Sequence, residues 1–402
     1  MPGIFEDERH EELREQVRRF AQEHVAPRVE QMETDRRVDA ELSALIAAQG
    51  WIGVTIPEAY GGMGLGHVAK TIIIEELARV SGAMGAMVQA SQLGVAKILH
   101  FGSEAQKRAW LPQIAVGQCL PTIAVTEPGS GGHVLGMSGH AVRERSGYVL
   151  NGTKVFVGNS HIGDLHGVVV RTGPGSRGLT AFLVEADRPG VRLEQQAPTM
   201  GLHGFSFGTV VFENCRLPAA NRLGEEGDGL RVAYSSSTLY GRPNLAAVAL
   251  GIHEAVVQDT VAFSSRREMY GNPLSAVSAV AMKLGDMQSR LMTARLALYH
   301  ATHLLDRGLP CDAELMNAKL VNAEYAIDSA RVAMEIFAGR GLHVSHRIER
   351  YLRDAYHIYA PAGTSDIQRL RLSEYAVGVN QEHEQWSVVL ADRLRADTST
   401  RA

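Results

Sequence analysis

The chain has 402 residues, enough for two to three domains and for a large core that needs no disulfide or metal staple. Hydrophobic residues make up 45% and charged residues 21%, a globular balance that excludes collagen, coiled coil and long disorder. With 40 basic against 44 acidic side chains the net charge is −4, so no field for nucleic acid or an anionic membrane is implied.

The start, MPGIFEDERHEEL, is acidic and lacks the apolar segment of a signal peptide. No apolar run approaches the roughly 18 residues that span a bilayer, so a cytoplasmic protein is expected. Leu13, Val17, Phe20 and Val25 recur at helical spacing and predict an amphipathic helix ending near Pro27. Val38, Leu42, Leu45 and Ile46 predict a second, stopped by Gly50. The glycines of 60–66 read as a loop, and Ile72–Val80 and Met87–Leu99 return to the helical period.

Near Pro121 the texture changes to short β-branched runs. Tyr148–Val157 reads as a hairpin turning at Asn151-Gly152, a pair suited to a type I′ turn. Gly167–Thr172, Leu179–Glu185 and Gly208–Glu213 read as further strands. From Gly229 long helical segments follow at 229–263, 274–306 and 311–338, with a last helix after Gly363-Thr364-Ser365, capped by Thr364 or Ser365. The expected class is α+β: a helical domain over 1–120, a middle β-barrel or sandwich over 121–228, a C-terminal four-helix bundle over 229–380, and a polar tail at 381–402 whose end, ADTSTRA, reads as disordered. Cys119, Cys215 and Cys311 stand far apart and read as small buried hydrophobes. No CxxC or HExxH occurs, so no dedicated metal site is expected.

Six segments in this order carry more than fold class. They are Ile56-Pro57-Glu58 with the 61–66 glycines; Ala124-Val125-Thr126-Glu127-Pro128-Gly129-Ser130-Gly131; Asn151-Gly152-Thr153-Lys154 through Asn159; and Val211-Phe212-Glu213-Asn214 with Arg216-Leu217-Pro218. Arg267 with Tyr270-Gly271-Asn272-Pro273-Leu274, and Arg353-Asp354-Ala355 with Gly363-Thr364-Ser365-Asp366-Ile367-Gln368-Arg369, complete the set. Over about residues 5–380 the chain resembles the acyl-CoA dehydrogenase family. The resemblance implies FAD held between the β domain and the C-terminal bundle, and oxidation of an acyl thioester at Cα–Cβ. It implies that Val125 and Thr126 lie along the flavin ring, with Phe156 beside it. Arg267 and Tyr270 would hold the FAD pyrophosphate and adenine of a neighbouring subunit. Glu335, Gly339, Thr364 and Asp366 take other cofactor-contact positions, and Gly132, His133 and Gly363 take substrate positions. A homodimer or homotetramer follows from the shared cofactor site.

The departures from the family pattern bear on the chemistry. The usual base, a glutamate before Gly-Thr-Ser, is Ala362. The alternative home, before the arginine of the first bundle helix, is Gly241, with Arg242 following. The threonine expected to reach flavin N5 is Gly158, and a serine-aspartate pair is Gly132-His133. The glutamine expected near 278 is Ser278. Ala362 retains the backbone N–H that grips the thioester oxygen in the family. Tyr240 is the first candidate substitute base, followed by His133, His203 and His357. Arg242 is expected to be at least partly buried, with the carbonyls of the 361–363 loop as acceptors. Tyr240-Gly241-Arg242 resembles members from polyketide and nonribosomal peptide pathways that act on acyl or peptidyl carrier proteins. The readings are a flavoenzyme with altered thioester chemistry, a flavin monooxygenase of the same fold, and a flavin-free binding protein.

Overall fold

The computed structural model describes residues 4–379 and 385–390. The N-terminal part comprises α1 (Glu8–Phe20), α2 (Val29–Asp35), α3 (Ala40–Ala47), α4 (Gly66–Val80), α5 (Gly82–Phe101) and α6 (Glu104–Ala115). The first helix does not end near Pro27: a π turn over Ala21–Val25 and a 3-10 turn carry the chain into α2. Pro27 sits at the start of that 3-10 turn, where its missing N–H costs little. Asp39 caps α3 through Leu42, and the helix stops before Gly50 at φ +78°. In the 60–66 loop a Cβ on Gly62 would lie 2.1 Å from the Ile56 carbonyl oxygen, so only glycine lets the two strands of the loop touch. α4 and α5 are apolar on nearly every face and form the buried centre.

The middle part holds β1 (Pro121–Ala124), β2 (His140–Glu144), β3 (Gly147–Gly158), β4 (Leu165–Arg171), β5 (Leu179–Glu185), β6 (Val191–Leu193), β7 (Phe207–Pro218) and β8 (Arg222–Leu223). The strand order is β6-β7-β3-β2-β4-β5-β8, with β1 parallel to β4. The expected turn at Asn151-Gly152 is absent. β3 runs unbroken from Gly147, and the turn falls at residues 145–146, where Glu144 pairs with Gly147. Asn151-Gly152 instead marks a bulge against β7, with the Asn151 side chain accepting from the Asn214 N–H. A one-residue excess in a long strand thus carries the turn signature without the turn.

The C-terminal part comprises α7 (Gly229–Ser236), α8 (Arg242–Arg266), the short pair β9 (Glu268–Met269) and β10 (Asn272–Pro273), then α9 (Ser278–Asp306), α10 (Asp312–Phe337), α11 (Ile348–Tyr359) and α12 (Ser365–Ala376). The segment read as one helix from 229 is broken by a π turn over Ser237–Gly241. α11 is a helix the sequence reading left out; its apolar stripe is narrow and its other faces carry Arg350, Arg353 and Asp354. Thr364 caps α12 as expected. The stretch Gly229–Arg266 is long and apolar enough to cross a membrane by length and composition, contrary to the sequence reading, but 72% of its apolar 18-residue window is buried inside the protein. In the tail, residues 386–390 are helical, and the Asp312 carboxylate accepts from the Trp386 and Ser387 N–H groups. The expected disordered end, ADTSTRA, lies outside the described residues. All three cysteines are free and buried.

Candidate active site

The two empty base positions meet. The π turn brings Gly241 to the mouth of α8, and α11 delivers Ala362 at φ +54° in the turn before α12. A Cβ built on Gly241 would stand 3.2 Å from the Ala362 Cβ, 3.5 Å from Leu93 on α5 and 3.7 Å from the Ser237 hydroxyl. Positions 241 and 362, over a hundred residues apart in sequence, therefore look into one space. π turns recur at functional sites because they re-aim side chains in mid-helix. Among the described residues the Ala362 N–H donates to no acceptor.

The turn carrying Ala362 is held from outside. Lys319, fully buried on α10, donates to the carbonyls of Tyr359 at 2.7 Å and Gly363 at 2.8 Å. Gln368 donates to the carbonyls of Ala362 and Gly363 at 3.0 and 3.1 Å. Burial, with Arg242 nearby, pushes the Lys319 ammonium down to about 8. Sequence reasoning missed this residue; its signal is a lysine inside the apolar stripe Leu315, Ala318, Asn322, Ala326 of α10. Lys319 and Gln368 take the carbonyls expected to receive Arg242. The guanidinium instead donates to the Thr238 hydroxyl at 2.7 Å, and its Nε is buried without a partner. Arg242 is partly buried as expected, and burial lowers it to about 10.

Tyr240 does not reach this space. Its hydroxyl bonds His100 at 3.2 Å, and its ring stacks edge-on to His67 at 4.9 Å with the Lys70 ammonium 4.3 Å away. Burial pushes its pKa above the ordinary tyrosine value, so the hydroxyl keeps its proton and is no base at neutral pH. His133 is exposed, on the loop whose carbonyl receives the Ser130 hydroxyl. His203 is engaged at both ring nitrogens, with Glu33 and with the Thr199 carbonyl, each at 3.0 Å. His357 packs edge-on to Phe207 at 5.1 Å, and burial pushes it down to about 4. None of the four expected substitutes stands at the Gly241–Ala362 junction.

The Tyr240 cluster lines a cavity of about 580 Å³ with Thr55, Leu99, Leu239 and Asp306. Lys70 lies there fully buried, its ammonium 2.7 Å from His67 Nδ1, and burial pushes it down to about 7. Because the folded value lies below the unfolded one, the buried charge destabilises fully below pH 7. That penalty is relieved as pH rises from 7 toward 10.5, the unfolded chain then holding the extra proton. Lys70→Met is therefore expected to be about 2 kcal/mol more stable than the parent at pH 6, the gap narrowing by pH 9 on its way to closing toward pH 10.5. Urea titrations at both pH values check this; a gap that stays constant would contradict it.

Beside α5, the ends of β1 and β3 present a partly open surface. The Val155 N–H donates to the Thr126 carbonyl, placing Val125 and Thr126, both partly exposed, beside Phe156. Phe156 has φ +56° and is 63% exposed, unusual for an aromatic on a strand, and stacks on Phe207 at 5.5 Å. Phe205 stacks on Phe207 in turn at 6.0 Å. A Cβ on Gly158 would lie 2.9 Å from the Ala90 Cβ and 3.0 Å from the Phe205 ring. The missing threonine is thus a matched exchange: Phe205 fills the space a side chain at 158 would need. Gly158→Thr should cost about 1–3 kcal/mol by overpacking, and Phe205→Ser in the same chain should recover most of it. Thermal melts of the cofactor-free proteins decide, and an unaffected single variant would refute the account.

The remaining expected contacts lie on the surface. Arg267 and Tyr270 flank the β9–β10 turn, with Tyr270 92% exposed. Exposed Glu335 pairs with Lys283 at 2.7 Å, and Gly339 lies exposed in a 3-10 turn. Asp366 is exposed and pairs with Arg369, while Gly132 is exposed beside His133.

Helical, sheet and helical parts follow one another along the chain, and Phe156, Phe207 and Phe205 stack in series at the strand ends. Sequence models of the acyl-CoA dehydrogenase N-terminal, middle and C-terminal domains match residues 7–118, 122–215 and 227–376. An acyl-CoA dehydrogenase of Bacillus subtilis (strain 168) is 36% identical over 369 residues, 91% of this chain and 97% of that protein. The prolyl acyl carrier protein oxidase AnaB superposes with a TM-score of 0.87 at 28% identity, covering 92% of this chain and 99% of AnaB. The FAD complex of PigA superposes with a TM-score of 0.88 at 26% identity, covering 93% and 98%. The chain belongs to the acyl-CoA dehydrogenase family, whose members are FAD-dependent oxidoreductases. The partly exposed Val125–Thr126 edge and the uncovered face of Phe156 fit that cofactor.

Proposed function

We propose that this flavoenzyme acts on an acyl thioester, on CoA or on an acyl or peptidyl carrier protein, by a route that uses no protein carboxylate as α-proton base. The observation carrying this reading is the meeting of Gly241 and Ala362 in one space, with neither position holding a carboxylate. FAD, when bound, supplies a two-electron acceptor. The chain's own part is to orient the thioester at the Ala362 turn, whose free N–H stabilises charge on the carbonyl oxygen. Lys319 and Gln368 keep that N–H in place through backbone contacts alone. The Phe156–Phe207 wall would pack the flavin ring, and Arg267 and Tyr270, on the surface of their own subunit, would complete a neighbour's site. The carrier-bound alternative to CoA draws support from the similarity to AnaB, and with it a place in natural-product biosynthesis.

Homo-oligomerisation belongs to this reading. Met282, Met292 and Leu296 of α9 are 73%, 63% and 57% exposed, an apolar strip suited to a second copy. Light scattering should give a dimer or a dimer of dimers; a monomer would remove the shared cofactor site. The function is tested by mixing the FAD-loaded protein anaerobically with acyl-CoA and acyl-pantetheine thioesters. Binding with little bleaching by saturated acyl chains is expected, and rapid bleaching would overturn the base-free reading. Phe205 beside Gly158, an apolar contact where a hydroxyl is usual, favours a second reading, a flavin monooxygenase. That reading requires bleaching by a reduced nicotinamide or a reductase, followed by oxygen uptake.

A further inference from the structure

One helical turn beyond the Gly241–Leu93 contact, α8 and α5 meet again at Asn244 and Gln89. Asn244 is fully buried. Its Nδ2 faces the Gln89 backbone carbonyl at 3.4 Å. A carbonyl only accepts, so the amide orientation is fixed, with the nitrogen toward Gln89 and Oδ1 away from it. That Oδ1 has no hydrogen-bond partner. Gln89 is 6% exposed, and its side-chain amide, which makes no hydrogen bond among the described residues, keeps some exposed area where Asn244 Oδ1 has none. A buried amide acceptor without a donor costs about as much as a lost hydrogen bond, and such groups are rare unless something else satisfies them.

Gln89 precedes Leu93 by four residues and Asn244 follows Gly241 by three, so each pair shares a helix face. Ala90, beside Gln89, touches the Gly158 position on the flavin side. Tyr240 is engaged elsewhere, with His67, His100 and Lys70. We infer that Asn244 Oδ1 and the Gln89 amide select an acyl group carrying a hydroxyl beyond its α-carbon, the hydroxyl donating to Asn244 and accepting from Gln89. An ammonium would suit Asn244 as a donor, but the nearest charged residue along α8 is Arg242, a cation that already bears on the Lys319 ammonium, and a further buried cation would be uncompensated. A methyl group of the same size leaves Oδ1 unsatisfied. The inference rests on the acyl-thioester reading above.

The test uses the FAD-loaded protein and two isosteric pairs of pantetheine thioesters: 3-hydroxybutyryl against 3-methylbutyryl, and 4-hydroxybutyryl against pentanoyl. Dissociation constants come from the perturbation of the flavin spectrum on binding. At least one hydroxylated thioester should bind about tenfold tighter than its isostere, and Asn244→Leu should abolish or reverse that ratio. The same variant should melt at the parent temperature or above it, since it removes an unsatisfied buried carbonyl, and this separates lost selectivity from lost fold. Equal binding within both pairs, or a ratio untouched by Asn244→Leu, overturns the inference while leaving the thioester reading standing. Failure of all four thioesters to bind removes that reading, and this inference with it.

Discussion

Ala362→Glu is expected to raise α,β-dehydrogenation of saturated acyl thioesters by about 10²–10⁴-fold, the usual contribution of a placed general base. The backbone at 362 already holds a non-glycine residue at φ +54°, so the exchange adds no new backbone strain. Gly241→Glu should do the same, since its Cβ would point into the same space 3.2 Å from that of Ala362. The two effects should not add. With both side chains present two carboxylates share one site, which raises the proton affinity of the pair, whereas the 3.2 Å Cβ contact is already made in Gly241→Glu alone. The assay is reduction of an artificial electron acceptor by a panel of acyl-CoA and acyl-pantetheine substrates. Brisk turnover by the unmodified protein would sink the idea. FAD-loaded single variants that remain inactive would show that the substrate α-carbon does not reach the junction.

The second large effect concerns stability. Glu127 and Lys154 form an ion pair at 2.7 Å, with side chains 3% and 0% exposed. The carboxylate also accepts from the Ser138 and Gly139 N–H groups, and the ammonium also donates to the Val125 carbonyl at 3.0 Å. Glu127→Ala would strand a buried ammonium and two backbone donors, at a cost of about 3–5 kcal/mol. Because Lys154 ties down Val125 beside Phe156, FAD retention should fall together with stability. The double exchange Glu127→Leu with Lys154→Met should recover much of the lost stability but not FAD retention, since no ammonium then reaches the Val125 carbonyl. Urea unfolding and the flavin-to-protein absorbance ratio measure the two quantities separately. A double variant as unstable as the single one would contradict this account.

The helices α1, α9 and α10 were legible because each buries an apolar stripe, α4 and α5 because they are long runs buried on nearly every face, and β4 and β5 because short runs of mostly apolar residues form strands buried on both faces. The Asn151-Gly152 turn was misread because a bulge and a two-residue turn share their residue types. α11 was passed over because its charged residues are committed to distant partners, as Arg353 is to Glu33. Of the site, the two missing carboxylates were visible as letters, but only folding shows that they face each other. Tyr240 was misjudged because a π turn, which no residue pattern announces, rotates it away from its neighbour Gly241. Phe205 carried no signal by itself; its meaning lies in its contact with a glycine far away in the chain.

The clamp on the 359–363 turn has a consequence for how such a protein changes over time. Lys319 and Gln368 grip only main-chain oxygens, so the conformation of the turn does not depend on which side chains it bears. A lineage can therefore drop a reactive group from this spot, try others, or regain the first, without passing through a misfolded intermediate. Stability and chemistry are selected at different addresses: at 319 and 368 for shape, at 241 and 362 for reactivity. New activities on this scaffold can arise by single substitutions, each of which leaves a folded protein for selection to act upon.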